Sequence, residues 1–242
     1  MARWIAHLRL AEGLLEEIPG LDAAYFAIGN IAPDSGVRDS NGYEFNPPTR
    51  VSHFLAPEGS AYRSADLDFY REYLEPIPEH ERTSDVFSFL LGYFFHLVTD
   101  NLWYADIDEP TREEFKAEFD KDPEFIWEVK RDWYGLDLAH VRKNPDSIYW
   151  KTFLDADYDK EFLPFLSQQG IQKRVEEIKQ LYQRTDDEIE EWYGHRPDKY
   201  LSEKAYDSFV VRSIRRLLVI YEVLFEERRT TVGESSVLEL GV

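Results

Sequence analysis

The segment Gly92-Tyr93-Phe94-Phe95-His96-Leu97-Val98-Thr99-Asp100-Asn101-Leu102-Trp103 sets an imidazole and a carboxylate at i and i+4 inside an otherwise apolar helical stretch. That spacing puts His96 and Asp100 on one helix face, aimed at the same spot. An unpartnered polar group costs on the order of 1–3 kcal/mol to bury, so both need a partner. A metal ion serves both. So does a plain hydrogen bond between them in a packed core, and the segment alone does not separate the two.

Other residues of the same chemistry lie far away in the chain. His7 sits in Trp4-Ile5-Ala6-His7-Leu8, Asp34 follows a proline in Ile31-Ala32-Pro33-Asp34-Ser35, and His53 lies in Ser52-His53-Phe54. Nitrogen and carboxylate donors suit zinc, and one aspartate can bridge two ions placed about 3.5–4 Å apart to hydrolyse a phosphoric ester. Singly, Asp34 reads equally as a turn or cap residue, His7 as a core histidine and His53 as a loop residue. His80 reads as exposed loop. His140 and His195 stand beside Arg142, Lys143 and Arg196, which discourages a nearby cation. Asp106, Asp108 and Glu109 read as an exposed acidic turn, and Tyr93, Trp103 and Tyr104 as packing or the wall of a substrate pocket.

Helices must position these groups. Trp4, Leu8, Ala11 and Leu15 form a stripe at helical period over residues 2–17, with His7 in the same arc. Leu21 to Ile31 reads as a short second helix, and residues 33–63 as a long irregular loop rich in Gly, Pro, Ser and Asn. Helix resumes over Ser64 to Leu74 and Ser84 to Tyr104, the latter apolar nearly all round and therefore central. Thr111-Arg112-Glu113-Glu114 fits a capping box, Asp122 to Tyr134 is amphipathic, and Gly170 to Arg184 is helical. Thr185 caps a short helix, Ser202 opens the last long one, and Thr230 to Val242 reads as a frayed tail. No run alternates as a strand does. The expectation is all-α: one helical domain over residues 1–229 and a C-terminal tail over 230–242.

Composition excludes several function classes. The 43% of hydrophobic residues and 15% of aromatic ones belong to a globular chain with a ring-filled core. With 48 acidic against 28 basic residues the net charge is −20, a poor match for a nucleic-acid polymer or an anionic membrane surface. Without cysteine, any transition metal must use histidine and carboxylate. The Met1 to His7 segment lacks the apolar core of a signal peptide, and Val86 to Val98 is too short and too polar to span a bilayer. A cytoplasmic protein without a transmembrane segment is the expectation.

An early helix-borne His, a Pro-Asp loop, a Ser-His-Phe step and a Gly-Tyr-x-x-His-x-x-x-Asp helix, in that order, resemble the zinc-dependent phospholipase C family, whose all-helical fold fungal single-strand nucleases share. The resemblance covers roughly residues 1–104; the C-terminal half carries no motif of the family. It implies that Asp34, His53, His96 and Asp100 gather one zinc, and that His7 helps hold a second, with Asp100 as the bridge. A metal-bound hydroxide would be the nucleophile, and Asp34 is the candidate base to orient the attacking water. In secreted members of the family the N-terminal amine is also a zinc ligand. Removal of Met1 would offer the Ala2 amine in that role. The third zinc of the family needs a further His, where this chain has Asp106, and then a His followed four residues on by Glu. Neither His140 nor His195 is followed so. One or two ions are therefore expected, zinc or another divalent metal.

The expected function is that of a metal-dependent hydrolase of phosphoric esters, phospholipase C-like, acting on a small phosphoester or a phospholipid head group. Two alternatives stand beside it: a metal-binding scaffold without turnover, and a nuclease-like activity confined to small nucleotides.

Overall fold

The computed structural model describes residues 1–38, 44–194 and 196–241. Eleven α-helices occur among them: α1 (Trp4–Glu17), α2 (Ala23–Gly29), α3 (Thr49–Ser52), α4 (Asp66–Phe69), α5 (Asp85–Trp103), α6 (Glu109–Glu114), α7 (Lys116–Lys121), α8 (Ile126–Lys143), α9 (Gln168–Tyr182), α10 (Asp186–Tyr193) and α11 (Glu203–Tyr221). Two-residue strands, β1 (Val37–Arg38) and β2 (Phe45–Asn46), pair antiparallel, with Val37 opposite Asn46 and Arg38 opposite Phe45. They lie inside the stretch expected to be irregular, where two-residue runs are too short to show an alternation.

Helix α5 is the axis of the fold. Ser84 caps it by accepting from the Phe87 amide, and every residue from Phe87 to Trp103 is buried. Helix α2 lies along it, and two glycines set how closely. A Cβ on Gly29 would stand 2.1 Å from the Phe89 carbonyl oxygen, and one on Gly92 would stand 2.4 Å from that of Phe26. Backbone thus rests on backbone, which no residue with a Cβ permits. Helix α1 packs on α2, α8 and α11, so its buried surface is broader than one stripe: Ile5, Leu10 and Leu14 are buried with His7, while Trp4 and Leu15 are only half-buried.

Three sequence expectations need correction. Thr111 does not cap a helix; Pro110 opens α6 directly from the preceding turn, and the Thr111 hydroxyl donates inward to the Ile107 carbonyl at 2.6 Å. The helix expected to end at Tyr134 runs on to Lys143, because packing on both flanks carries it through Gly135. Asp122 caps the short turn before it, accepting from the Glu124 amide.

The third correction concerns the C-terminus. Thr231, Ser236, Val237 and Leu240 are buried, not frayed. Their anchor is Asp66, whose buried carboxylate accepts from the Asn101 side chain (2.8 Å), the Ser236 hydroxyl (2.6 Å) and the Val237 amide (2.8 Å). Arg71 adds a donor to the Glu234 carbonyl. The docking is polar and so left no apolar period to read. Burial pushes the Asp66 carboxyl up to about 7 against the pull of these donors. The folded chain therefore holds that proton more tightly than the unfolded one. The contribution of Asp66 to stability is full below about pH 4 and is lost as pH rises through about 7. Asp66→Ala strips an acceptor from three buried donors, and is expected to cost about 2–4 kcal/mol near pH 5 and to raise amide exchange over residues 231–240. Denaturant unfolding and hydrogen exchange measure the two effects.

Candidate functional site

Four elements bring the five candidate residues to one place: His7 from α1, Asp34 from the turn after α2, His53 from the end of α3, and His96 with Asp100 from α5. Two overlapping groups each have one donor atom per residue within 4.8 Å of the others: His7, His96 and Asp100, and Asp34, His53 and His96. Among the described residues no other group of three does so. Asp100 faces both sides. Its Oδ1 is 3.7 Å from His7 Nε2, and its Oδ2 is 3.6 Å from His96 Nε2 and 3.9 Å from His53 Nε2. Asp34 Oδ1 lies 3.3 Å from His53 Nε2. The His7 and His96 rings stack at 3.9 Å, nearly parallel.

Each ligand candidate but His7 is fixed by a partner behind it. His96 Nδ1 meets the Asn30 carbonyl oxygen at 2.7 Å, so that nitrogen carries the hydrogen and Nε2 is left with its lone pair toward the cluster. His53 Nδ1 lies 3.0 Å from the Ser52 hydroxyl, and the Tyr93 hydroxyl donates to the Ser52 carbonyl, tying the end of α3 to α5. Phe54, just after it, turns the chain at φ +47°, and its ring is held edge-on against Phe69 and Phe165. Trp4 Nε1 donates to Asp34 Oδ2 at 2.8 Å, and the Ala2 amide donates to Asp100 Oδ1 at 2.9 Å. As a peptide amide, Ala2 nitrogen has no lone pair to offer.

What faces inward has no partner. His7 Nε2, His53 Nε2, His96 Nε2 and Asp100 Oδ2 are all buried without a hydrogen bond, and so is His7 Nδ1. Four such atoms converging on one place, each costing about 1–3 kcal/mol to bury unpaired, call for a shared partner. A plain His96–Asp100 hydrogen bond does not account for them, since 3.6 Å is too long for one. Burial pushes His7 and His96 down, so both are neutral imidazoles. Burial also works against a charged His53, but the charges of Asp34, 3.3 Å away, and of Asp100 raise it. For Asp34 burial acts upward, and His53, 3.3 Å away, with the imidazoles of His96 and His7 outweighs it, holding the carboxyl below the usual range. Imidazole nitrogens and carboxylate oxygens are the donor set that zinc takes.

Space adjoins the cluster. His53 and Asp100 line a cleft of about 670 Å³, and His53 and Asp34 border a second of about 180 Å³. Tyr104 lines the larger one, whereas Tyr93 and Trp103 are core residues. Asp108, expected in an exposed turn, is buried between Arg63 and Arg112 at the cleft wall. Asp106 pairs with Arg212, His80 is exposed, and His140 is half-buried against Asn144. His195 lies outside the described residues. Asn30, Ser52 and Trp4 were not singled out as part of the site by sequence; a backbone carbonyl leaves no mark on composition, and Trp4 is indistinguishable from a packing residue.

Residues 6–104 match the family described as zinc dependent phospholipase C, and all five cluster residues lie within that stretch. The resemblance drawn from the motifs holds there, and the helical architecture agrees with it. No curated protein and no solved structure matches the chain. Among the described residues, no helix is long and apolar enough to cross a membrane.

Proposed function

We propose that the chain is a metal-dependent hydrolase of phosphoric esters, acting on a small phosphoester or a phospholipid head group. The convergence of the buried, unpartnered Nε2 atoms of His7, His53 and His96 with Asp100 Oδ2 carries this reading. Asp34, His53 and His96 would hold one zinc together with Asp100, and His7 would help to hold a second, on the side that the other Asp100 oxygen faces. When bound, the metal acidifies a water and offsets charge growing on the phosphoryl oxygens. Hydrolysis joins the water oxygen to phosphorus, breaks one P–O ester bond and releases an alcohol that keeps a proton.

The residues of the chain do the positioning. The Asn30 carbonyl and the Ser52 hydroxyl orient His96 and His53, and the Trp4 indole holds Asp34. Both Asp34 oxygens are engaged, one by Trp4 and one facing His53, so we assign Asp34 to holding the cluster and not to proton transfer. The absence of the family's third-ion residues supports the count of one or two ions, and a net charge of −20 speaks against polymeric nucleic acid as substrate.

Elemental analysis of the purified protein and turnover of a chromogenic phosphodiester, each before and after chelation, test the reading. One or two equivalents of zinc, and hydrolysis lost with chelator and restored by zinc, are expected. Stoichiometric zinc without turnover of any phosphoester would make the chain a metal-binding scaffold instead.

A further inference from the structure

The larger cleft carries a charge opposite to that of the protein. Arg63, Arg112 and Lys130 line it, and apart from the cluster residue Asp100 the one carboxylate among the described residues of its lining is Asp108. Asp108 serves both arginines, at 3.6 Å from Arg63 Nη1 and 3.2 Å from Arg112 Nε. Lys130 has no carboxylate in ion-pair range among the described residues; its ammonium only lies over the Trp127 ring, at 4.8 Å. Yet it borders both cavities, beside His53 in each. In a chain of net charge −20, acidic groups to neutralise this wall were abundant, and the fold supplies one.

Uncompensated like charge at a half-buried wall is unfavourable until something negative arrives. Burial and the neighbouring Arg3 push the Lys130 ammonium down, with Arg63 and Arg112 adding to the push and Asp108 opposing it. A scissile phosphodiester brings one negative charge, which the metal cluster would meet. Arg63, Arg112 and Lys130 line the same cleft as His53 and Asp100, so a second negative group on a bound substrate has these cations to meet.

We propose that the cleft selects phosphodiesters whose alcohol portion bears a second anionic group, with Lys130 and Arg63 reading that group. This rests on the hydrolase reading above for turnover, but the charge preference also shows in binding. A substrate with a quaternary ammonium at the same place would face the cations directly and be disfavoured. The anionic group belongs either to a free phosphoester or to a lipid head group; the chemistry read by the cleft is the same.

Two 4-nitrophenyl phosphodiesters test this on the zinc-loaded protein, one with a 3-phosphopropyl and one with a trimethylammonioethyl second ester. Calorimetric binding of propane-1,3-diyl bisphosphate and of phosphocholine gives a readout independent of turnover. The anionic member of each pair is expected to be favoured at least about ten-fold, less so at high salt. Lys130→Gln and Arg63→Gln are expected to cut that preference to about three-fold or less while zinc content and helical circular dichroism persist. Mixed micelles of phosphatidylinositol 4-phosphate against phosphatidylcholine identify the source: turnover of the soluble ester alone points to a free phosphoester, and of both to a lipid head group. Equal or better binding of phosphocholine, or a preference that survives both substitutions, would overturn the proposal. Charge-selective binding with no turnover of either diester would support the cleft assignment and defeat the hydrolase reading; turnover without charge selectivity would do the reverse.

Discussion

Asp100→Ala is expected to empty the site of metal and to lower phosphodiester turnover by more than about 100-fold. Losing an outer hydrogen-bond partner of a ligand typically costs about 10–100-fold in metal affinity or activity, so a lost shared ligand must cost more. Among the described residues Asp100 is the one carboxylate whose two oxygens face different histidines, Oδ1 toward His7 and Oδ2 toward His53 and His96. Its removal withdraws the negative charge from both sides of the cluster at once. His96 belongs to both donor groups, and His96→Ala is expected to behave the same way. Asp100→Asn keeps the shape and drops the charge, so zinc loss in that variant would separate an electrostatic cause from a packing defect. Elemental analysis with circular dichroism makes the measurement. Stoichiometric zinc retained in both alanine variants would show that the metal sits elsewhere.

Gly92→Ala is expected to damage stability and metal binding together, although residue 92 has no side chain to offer the site. The new methyl would sit 2.4 Å from the Phe26 carbonyl oxygen and 3.0 Å from the Asn30 nitrogen, and backbone cannot rotate away as a side chain can. Helix α2 must shift, at a cost of about 1–3 kcal/mol. The shift carries the Asn30 carbonyl off His96 Nδ1, where it now lies at 2.7 Å, and about 10–100-fold in zinc affinity should go with it. Gly13→Ala is the comparison. There the closest atom is the Cδ1 of Ile214, the end of a flexible side chain remote from the cluster, so zinc affinity should not change. Denaturant unfolding and zinc titration of the two variants check this; equal zinc affinity in Gly92→Ala and the parent protein would show that the α2–α5 spacing does not position His96.

The long helices that build the site, α1 and α5, were legible because they are rich in apolar residues at helical spacing, whereas the one-turn α3 before His53 lies in a stretch read as irregular loop. Residues 85–103 in particular were too apolar on every side to be anything but the centre. The five donors were legible for a different reason: the order of short motifs around His7, Asp34, His53, His96 and Asp100 carries meaning that no single residue has. Their partners were not. Asn30 acts through its carbonyl, Ser52 through proximity, and Trp4 through an indole hydrogen inside an ordinary packing stripe. The docked C-terminus escaped detection because hydrogen bonds to Asp66 hold it, and hydrogen bonds have no period. The cationic wall escaped because Arg63, Arg112 and Lys130 are far apart in the chain and submerged in an acidic total.

Anomalous diffraction at the zinc edge, from crystals of the zinc-loaded protein, asks most directly whether these donors gather around a cation. A peak about 2.0–2.2 Å from Nε2 of His53 and of His96 and from an Asp34 or Asp100 oxygen is expected, with a second, if present, beside His7. No peak between α1 and α5, or one bound by residues outside the five, would contradict it.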